Sequence, residues 1–454
     1  MAVLHFPPGF LWGVATSAQQ IEGAHDQGGR GESVWDRYAS TPENIEDRST
    51  PFRACDHYHR WPEDLRLLGE LGVGAYRFST SWSRIMPDGR TVNQAGLDFY
   101  EALVDALLAA GIQPCLTLNH WDMPQAFMDE HGGWAGRETV QRFVDYAAAT
   151  AHRLGDRVRH WTTHNEPWCV AHLGYEQGRH APGLRDPNAA LRAAHHLLLS
   201  HGRATAALRG TVHQPEVGIV LNLSPAHPAS DSEADVEAAR QFDGFFNRWY
   251  LDALFRGQYP DDAVADRVAR GHLADDAMPF VQPGDMDDIA APMDWLGVNY
   301  YSRTVLAADS EGRPDAAPPV PADQLTEMGW EVYPDGLEEI LRRVDREYGP
   351  LPLYVTENGA AFVDPPAVDG RIADPRRVSY FREHLAAVHR AVTAGVSLQG
   401  YFAWSLLDNF EWGHGYTKRF GLYGVDFETG ERMPKDSALL YRDIVGSNAV
   451  DDGR

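Results

Sequence analysis

The sequence predicts an α/β fold, a (β/α)₈ TIM barrel, as a single domain over residues 1–454 with long βα loops. Three observations lead there. Eight short apolar or aromatic runs recur along the chain, each ending in polar residues. Segments with helical apolar spacing lie between them, and strands alternating with helices indicate βαβ units and a parallel sheet. Eight such units close into a barrel of typically about 250 residues. The remainder of the 454 residues must then lie in loops.

The runs begin with FLWGVATSAQQ at Phe10, GVGAYRFST at Gly72, IQPCLTLNH at Ile112 and RHWTTHNEP at Arg159. EVGIVLNLS follows at Glu216, DWLGVNYYS at Asp294, PLYVTENGA at Pro352 and LQGYFAWSLLDN at Leu398. Residues 95–111 carry Leu and Ala at helical spacing and end in Gly, a common helix stop. RETVQRFVDYAAATAHRLGD and RVSYFREHLAAVHRAVTAG read the same way. The surplus length is assigned to loops at 22–56, 226–294 and 303–336, the last rich in Pro, Ala and Asp. No linker long enough to separate two domains is evident, and no short internal repeat beyond the strand–helix alternation. The terminal SNAVDDGR is expected to fray.

Hydrophobic residues make up 43% of the chain, enough for a sizeable core. The formal charge of −25 excludes a basic footprint for nucleic acid and disfavours an anionic membrane surface as partner. It also disfavours polyanionic substrates. The three cysteines, Cys55, Cys115 and Cys169, form no CxxC and read as free thiols of a reducing compartment. The start, MAVLHFPPGFLWG, lacks the basic residues and apolar length of a signal peptide. No run approaches the roughly 20 apolar residues of a membrane span. A soluble cytoplasmic protein is expected.

In such barrels the active site lies at the C-terminal ends of the strands. Glu166, in TTHNEPW, follows the fourth predicted strand, and Glu357, in TENG, follows the seventh. They are far apart in the chain, yet a closed ring opens both strand ends onto one face. Asn358-Gly359 is expected to turn the chain away behind Glu357. Two carboxyl groups facing one cleft are the equipment for glycoside hydrolysis: one protonates the leaving oxygen while the other attacks or activates water. The alternative is that each Glu pairs with an Arg as structure. Two strand-end carboxylates, each beside an Asn, favour chemistry.

Four segments carry a resemblance: FLWGVATSAQQIEGA, HNEP around Glu166, TENG around Glu357, and WSLLDNFEWGHGYTKRFGLYGVDF. In this order, from Phe10 to about Phe427, they resemble the motifs of β-glucosidases of glycoside hydrolase family 1. The resemblance implies a retaining mechanism with Glu357 as nucleophile and Glu166 as acid/base, their carboxyls roughly 5–5.5 Å apart. Arg77, at the end of the second strand, matches the family's arginine beside the nucleophile. It is expected to lower the Glu357 pKa, while the charge of Glu357 raises that of Glu166. Tyr301 matches the tyrosine that contacts the nucleophile, with Asn299 and Asn222 as neighbouring groups.

Gln20, His120, Asn165, Glu411 and Trp412 match the family's positions around the non-reducing-end sugar, the first three at the ends of strands one, three and four. Asn165 would hold the 2-hydroxyl, Glu411 the 4- and 6-hydroxyls, and Trp404 the apolar face of the ring. Trp168 and Trp330 match the aromatic mouth around the leaving group. No cofactor or metal is implied. The pairs His195/His196 and His57/His59 read as structural, and Cys169 as a buried thiol for which retaining chemistry has no task. Gln19 stands where the family usually has an aromatic, Asn or His residue, and His164 where an apolar one is common. Glu411 would repel a 6-phosphate, so an unphosphorylated sugar is expected. The implied partner is a small-molecule β-glucoside or cello-oligosaccharide, cleaved at its terminal β-D-glucosyl residue, with no nucleic-acid or membrane partner. β-Galactoside or β-fucoside cleavage and sugar transfer to alcohols stay open. A catalytically inactive sugar-binding relative would typically lack one of the two glutamates.

Overall fold

The computed structural model describes residues 3–275, 278–316 and 320–451. Eight parallel strands close into a barrel: β1 (Leu11–Ala15), β2 (Ala75–Ser79), β3 (Gln113–Asn119), β4 (His160–Asn165), β5 (Glu216–Asn222), β6 (Trp295–Asn299), β7 (Leu353–Asn358) and β8 (Leu398–Trp404). They lie in chain order around the ring, and β8 closes on β1 with Trp404 opposite Ala15. The eight predicted runs are these eight strands.

Every residue of β2, β4 and β6 is buried. A parallel sheet covered by helices reads as near-continuous apolar runs for that reason. Yet these strands also carry Arg77, His164, Asn165 and Asn299. Buried polar side chains need partners, and most of these find them in one another near the C-terminal end of the barrel. The predicted helices are present at Gln94–Ala109, Glu138–Leu154 and Pro375–Thr393. The longest, Pro187–Thr211, starts with Pro at its first turn and the Asp186 side chain accepting from Asn188 N and Ala189 N at 2.9 and 3.0 Å.

The segments assigned to loops are largely structured. Residues 226–294 contain the helices Glu233–Asp243, Trp249–Arg256 and Asp261–Ala269. Residues 303–336 contain the antiparallel strands Thr304–Ala308 and Pro314–Ala316, and the first also pairs with Ala226–Pro228. Residues 22–56 contain the helix Val34–Ala39, closed by a reciprocal cap between Ser33 and Asp36. The C-terminus departs from expectation as well. Ala449–Asp451 pairs antiparallel with Val3–His5, and Asn448 Oδ1 accepts from Trp12 Nε1 at 2.9 Å. A terminal strand tied into a sheet does not fray; residues 452–454 lie outside the described residues. No described helix is long and apolar enough to cross a membrane.

Candidate active site

Both glutamates leave the barrel where strand pairing is irregular. The register of β7 against its neighbours slips between Val355 and Glu357–Asn358, and that of β4 against β5 between Thr162 and Asn165. Such irregularities re-aim side chains beside active sites. Glu166 then takes a left-handed backbone, φ 48°, as do the nearby Trp121 at 80° and Trp412 at 51°. Non-glycine residues held there cost free energy, and they cluster where a site demands them.

One hydrogen-bond net joins the two carboxyl groups. Arg77 Nη1 donates to Glu357 Oε1 at 2.7 Å, and Tyr301 Oη donates to Glu357 Oε2 at 2.7 Å. Arg77 Nη2 donates to Asn165 Oδ1 at 2.6 Å. Asn299 Nδ2 donates to that same oxygen at 3.1 Å and to Glu166 Oε1 at 2.6 Å. Thr356 Oγ1 donates to Asn299 Oδ1 at 2.7 Å, which fixes the amide orientation. Arg77 makes these bonds from the middle of β2, not its end.

The electrostatics separate the two acids. Burial, then the charge of Glu357, pushes Glu166 up to about 7. Burial, not like-charge repulsion, is the larger cause. Burial also lifts Glu357 above the ordinary carboxylate range, while Arg77, Tyr301 and Asn299 hold the rise in check. Arg77 therefore limits an increase here and does not produce the expected depression. A proton shared by the pair settles on Glu166, because the guanidinium bonds Glu357 directly. Burial and the two carboxylates push the Tyr301 phenol well above 10, so it remains a donor.

Eleven of the fourteen predicted residues line a cavity of about 910 Å³: Glu166, Glu357, Tyr301, Asn299, His120, Asn222, Trp404, Glu411, Trp412, Trp168 and Trp330. That is near the top of the ~300–1,000 Å³ range of small-molecule sites, enough for a sugar and a leaving group. Arg77, Gln20 and Asn165 are not among its lining residues. Gln20 sits beyond the end of β1 on the short helix Ala18–Ile21. Its Nε2 donates to Asn409 Oδ1 and Phe410 O, both at 3.0 Å, and to Glu411 Oε2 at 3.3 Å. Asn165 Oδ1 is bonded as above, and Nδ2 donates one of its two N–H groups to His120 Nε2 at 3.1 Å.

Burial and Arg77 hold His120 well below its usual pKa, so the ring is neutral with its proton on Nδ1. His120 lies near-parallel to Trp404 and Trp412, ring centroids 5.9 and 5.8 Å away. Burial, then Glu357 and Glu166, pushes Glu411 up to about 8. In the free protein it is thus a neutral acid near pH 7, and not the charged acceptor expected from the sequence. Trp168 packs on Phe246 at 4.6 Å and Trp330 on Tyr301 at 5.2 Å. One contributor, Trp121, was not anticipated from the sequence, and another, Cys169, was expected to be a buried thiol without a task. Trp121 lines the cavity and donates Nε1–H to Asn165 O at 2.8 Å; its place beside His120 was the available signal. Cys169 is buried as expected, but its Sγ donates to Glu166 Oε2 at 3.1 Å; its position three residues after Glu166 was the available signal.

The sequence profile "Glycosyl hydrolase family 1" matches residues 3–450. The chain belongs to glycosyl hydrolase family 1. Among its relatives, beta-glucosidase A of Thermotoga maritima is 45% identical and aligns over 100% of both chains. A bifunctional beta-D-glucosidase/beta-D-fucosidase of Bifidobacterium breve is 44% identical, covering 98% of this chain and 99% of its own. The solved structure of the Thermotoga maritima beta-glucosidase in complex with deoxynojirimycin superposes with a TM-score of 0.94. That match has 44% identity and covers 99% of this chain and 100% of that one.

Within this family 1 enzyme the two departures act away from the sugar cavity. His164 bonds Asn119 at 3.0 Å and Ser200 at 2.8 Å and stacks on Phe143, as a neutral core histidine. Gln19 ties the segment after β1 to its rim: Nε2 donates to Asp36 Oδ1, and Oε1 accepts from Arg30 Nη2, both at 2.9 Å. His57 pairs with Asp64 at 2.7 Å, and His195 bridges Tyr259 and Asp285.

Asn358-Gly359 does not act as a surface turn. Asn358 ends β7 and donates Nδ2–H to Tyr300 O and Tyr380 Oη at 2.7 and 2.9 Å. A Cβ on Gly359 would stand 1.8 Å from Trp404 O. Glycine here lets the strand bearing Glu357 pass against the strand bearing Trp404. In the family 1 enzyme, Gly359→Ala is expected to cost about 1–3 kcal/mol of stability by overpacking. It should also raise KM for a β-glucoside as Trp404 is displaced. Denaturant midpoints and steady-state kinetics check both, and an unchanged KM would show that the sugar does not rest on Trp404.

Proposed function

We propose that this family 1 enzyme is a retaining exo-β-glucosidase. It would release terminal non-reducing β-D-glucosyl residues from β-glucosides or cello-oligosaccharides, with Glu357 as nucleophile and Glu166 as acid/base. The observation that carries this reading is the unequal treatment of two carboxyls in one net: Arg77 and Tyr301 bond Glu357, while Glu166 is pushed up to about 7. The whole chain, 1–454, acts in this reading as one catalytic domain. Three buried free thiols suit a reducing compartment, so we place the enzyme in the cytoplasm.

An oxygen of ionised Glu357 attacks the anomeric carbon as the C1–O bond to the leaving group breaks. The Glu166 proton passes to the departing oxygen. Glu357 then carries a neutral ester, its charge is gone, and Glu166 is a carboxylate whose pKa falls because the repulsion has gone. Glu166 next takes a proton from water as that oxygen bonds C1 and the ester breaks. Two inversions return the β configuration. Asn222, Trp404, Glu411 and Trp412, with Gln20, Asn165 and His120 bonded around them, would hold the sugar. Trp168 and Trp330 would flank the leaving group. Glu411, though neutral when free, offers no cation to a 6-phosphate, so the substrate is unphosphorylated.

A panel of nitrophenyl β-glycosides and cellobiose, with kcat/KM for each, tests the reading. Turnover of the β-glucoside is expected, with β-glucose as the first product by NMR. First appearance of α-glucose would exclude the retaining route, and absence of turnover would leave a sugar-binding protein. The β-fucoside and β-galactoside arms measure how strongly the contacts of Glu411 discriminate between sugars.

A further inference from the structure

Cys169 opens a π-helical stretch, Cys169–Glu176, and its N–H bonds back to Glu166 O at 3.0 Å. That contact and the left-handed Glu166 backbone bring the thiol onto the carboxyl, with Sγ 3.1 Å from Oε2 at the cavity wall. The other oxygen, Oε1, accepts from Asn299 Nδ2 at 2.6 Å. Each oxygen of one carboxyl thus meets one donor, and the two donors differ in kind. The Asn299 amide is locked by Thr356 at 2.7 Å and can only donate. The thiol rotates about one bond and is both weak donor and weak acceptor. Oε2 is therefore the oxygen on which a proton can reside without opposing a fixed N–H.

We propose that Cys169 is a positioning residue for Glu166, a rotating donor that follows the carboxyl proton through the reaction. Its S–H donates to Oε2 when Glu166 is a carboxylate and turns aside when Oε2 carries the proton. This rests on the acid/base reading of Glu166. In glycosylation the proton leaves Oε2 for the glycosidic oxygen, and the S–H swings in to hold the carboxylate. In the second step water returns a proton to Oε2, and the S–H swings out. The thiol proton stays on sulfur throughout, since burial and the neighbouring Glu166 push its pKa well above the usual range.

The charged and titratable groups facing the pair are Glu357 on β7, Arg77 on β2, Tyr301 after β6 and Glu411 after β8, with Arg179 and Tyr250 on the thiol side. All of these remain in a Cys169 variant, so a difference between variants isolates the thiol. The experiment compares Cys169→Val and Cys169→Ala, which lack the donor, with Cys169→Ser, which keeps a rotating one. Two readouts are taken: the alkaline limb of kcat/KM for an aryl β-glucoside, and an infrared titration of the Glu166 carboxyl, identified by difference from Glu166→Gln.

Losing a donor to the charged form raises a carboxyl pKa. Val and Ala are expected to move both readouts up by about half a pH unit or more, while Ser leaves them in place or moves them down. A packing role predicts the reverse order, because Val matches the apolar thiol better than Ser does. An unmoved pKa in Val and Ala, or equal movement in all three, overturns the proposal. Wild-type enzyme inactive on β-glycosides, but with the infrared shift intact, would retire the functional reading and leave the hydrogen bond standing. Normal turnover without the shift would retire only the role of Cys169.

Discussion

Glu357→Gly is expected to abolish turnover of aryl β-glucosides, by on the order of 10⁵-fold or more, as removal of a nucleophile does elsewhere. Azide or formate should restore part of it. The substitution leaves a gap floored by the Arg77 guanidinium and the Tyr301 hydroxyl, both of which bond the carboxylate in the intact protein. A cation beside a hydroxyl donor is a ready site for a small anion. Azide there attacks C1 from the face opposite the leaving group, in a single displacement. The product is therefore the α-glucosyl azide, identifiable by its anomeric coupling in NMR. Formate, a carboxylate without its chain, would restore the original ester chemistry. Activity retained without added anion would refute the assignment, and a β-azide would place the lost function on the other glutamate.

The barrel was legible because its strands are buried on both faces. A run such as Trp295–Asn299, buried at every residue, is apolar until its final polar side chain. The strand end and the functional group then coincide in one short stretch. The rim was not legible for the converse reason. The helix Glu233–Asp243 buries only Ala238 and Ala239, so its apolar stripe is too thin to stand out, although Ser232 caps it by accepting from Asp235 N. The pairing of Val3–His5 with Ala449–Asp451 joins the two ends of the chain, and no local pattern encodes it.

In the site, identity was readable and environment was not. The sequence placed a cation beside Glu357 and a second acid nearby. It had no measure of burial, which proved the larger influence on Glu166, Glu357 and Glu411 alike. The same gap hid the close approach of Gly359 to Trp404 and the contact of Cys169 with Glu166. The first depends on two distant strands meeting in space; the second lies within one stretch of four residues, but only the left-handed Glu166 backbone turns the carboxyl onto the thiol.

Glu166→Gln should separate substrates by their leaving groups. General acid catalysis contributes about 10²–10⁴-fold where the departing oxygen needs a proton. Cellobiose and alkyl glucosides are expected to lose that much in kcat/KM, whereas a dinitrophenyl glucoside, whose oxygen leaves as a stable anion, keeps its first step. The pH dependence supplies the sign. The folded protein pushes Glu166 up to about 7, so the acid form is present below that pH and lost above it. In the wild type, kcat/KM for a poor leaving group therefore falls as pH rises through about 7. Glutamine cannot ionise, so this limb disappears in the variant. Added azide should accelerate breakdown of the glycosyl-enzyme, and because Glu357 still performs the first inversion the product is the β-glucosyl azide. The two azide anomers from the two variants assign the two carboxyls independently of any rate. A plot of log kcat/KM against leaving-group pKa that steepens in Glu166→Gln supports the acid role. A uniform loss across the series would mean that Glu166 holds the site together without passing a proton.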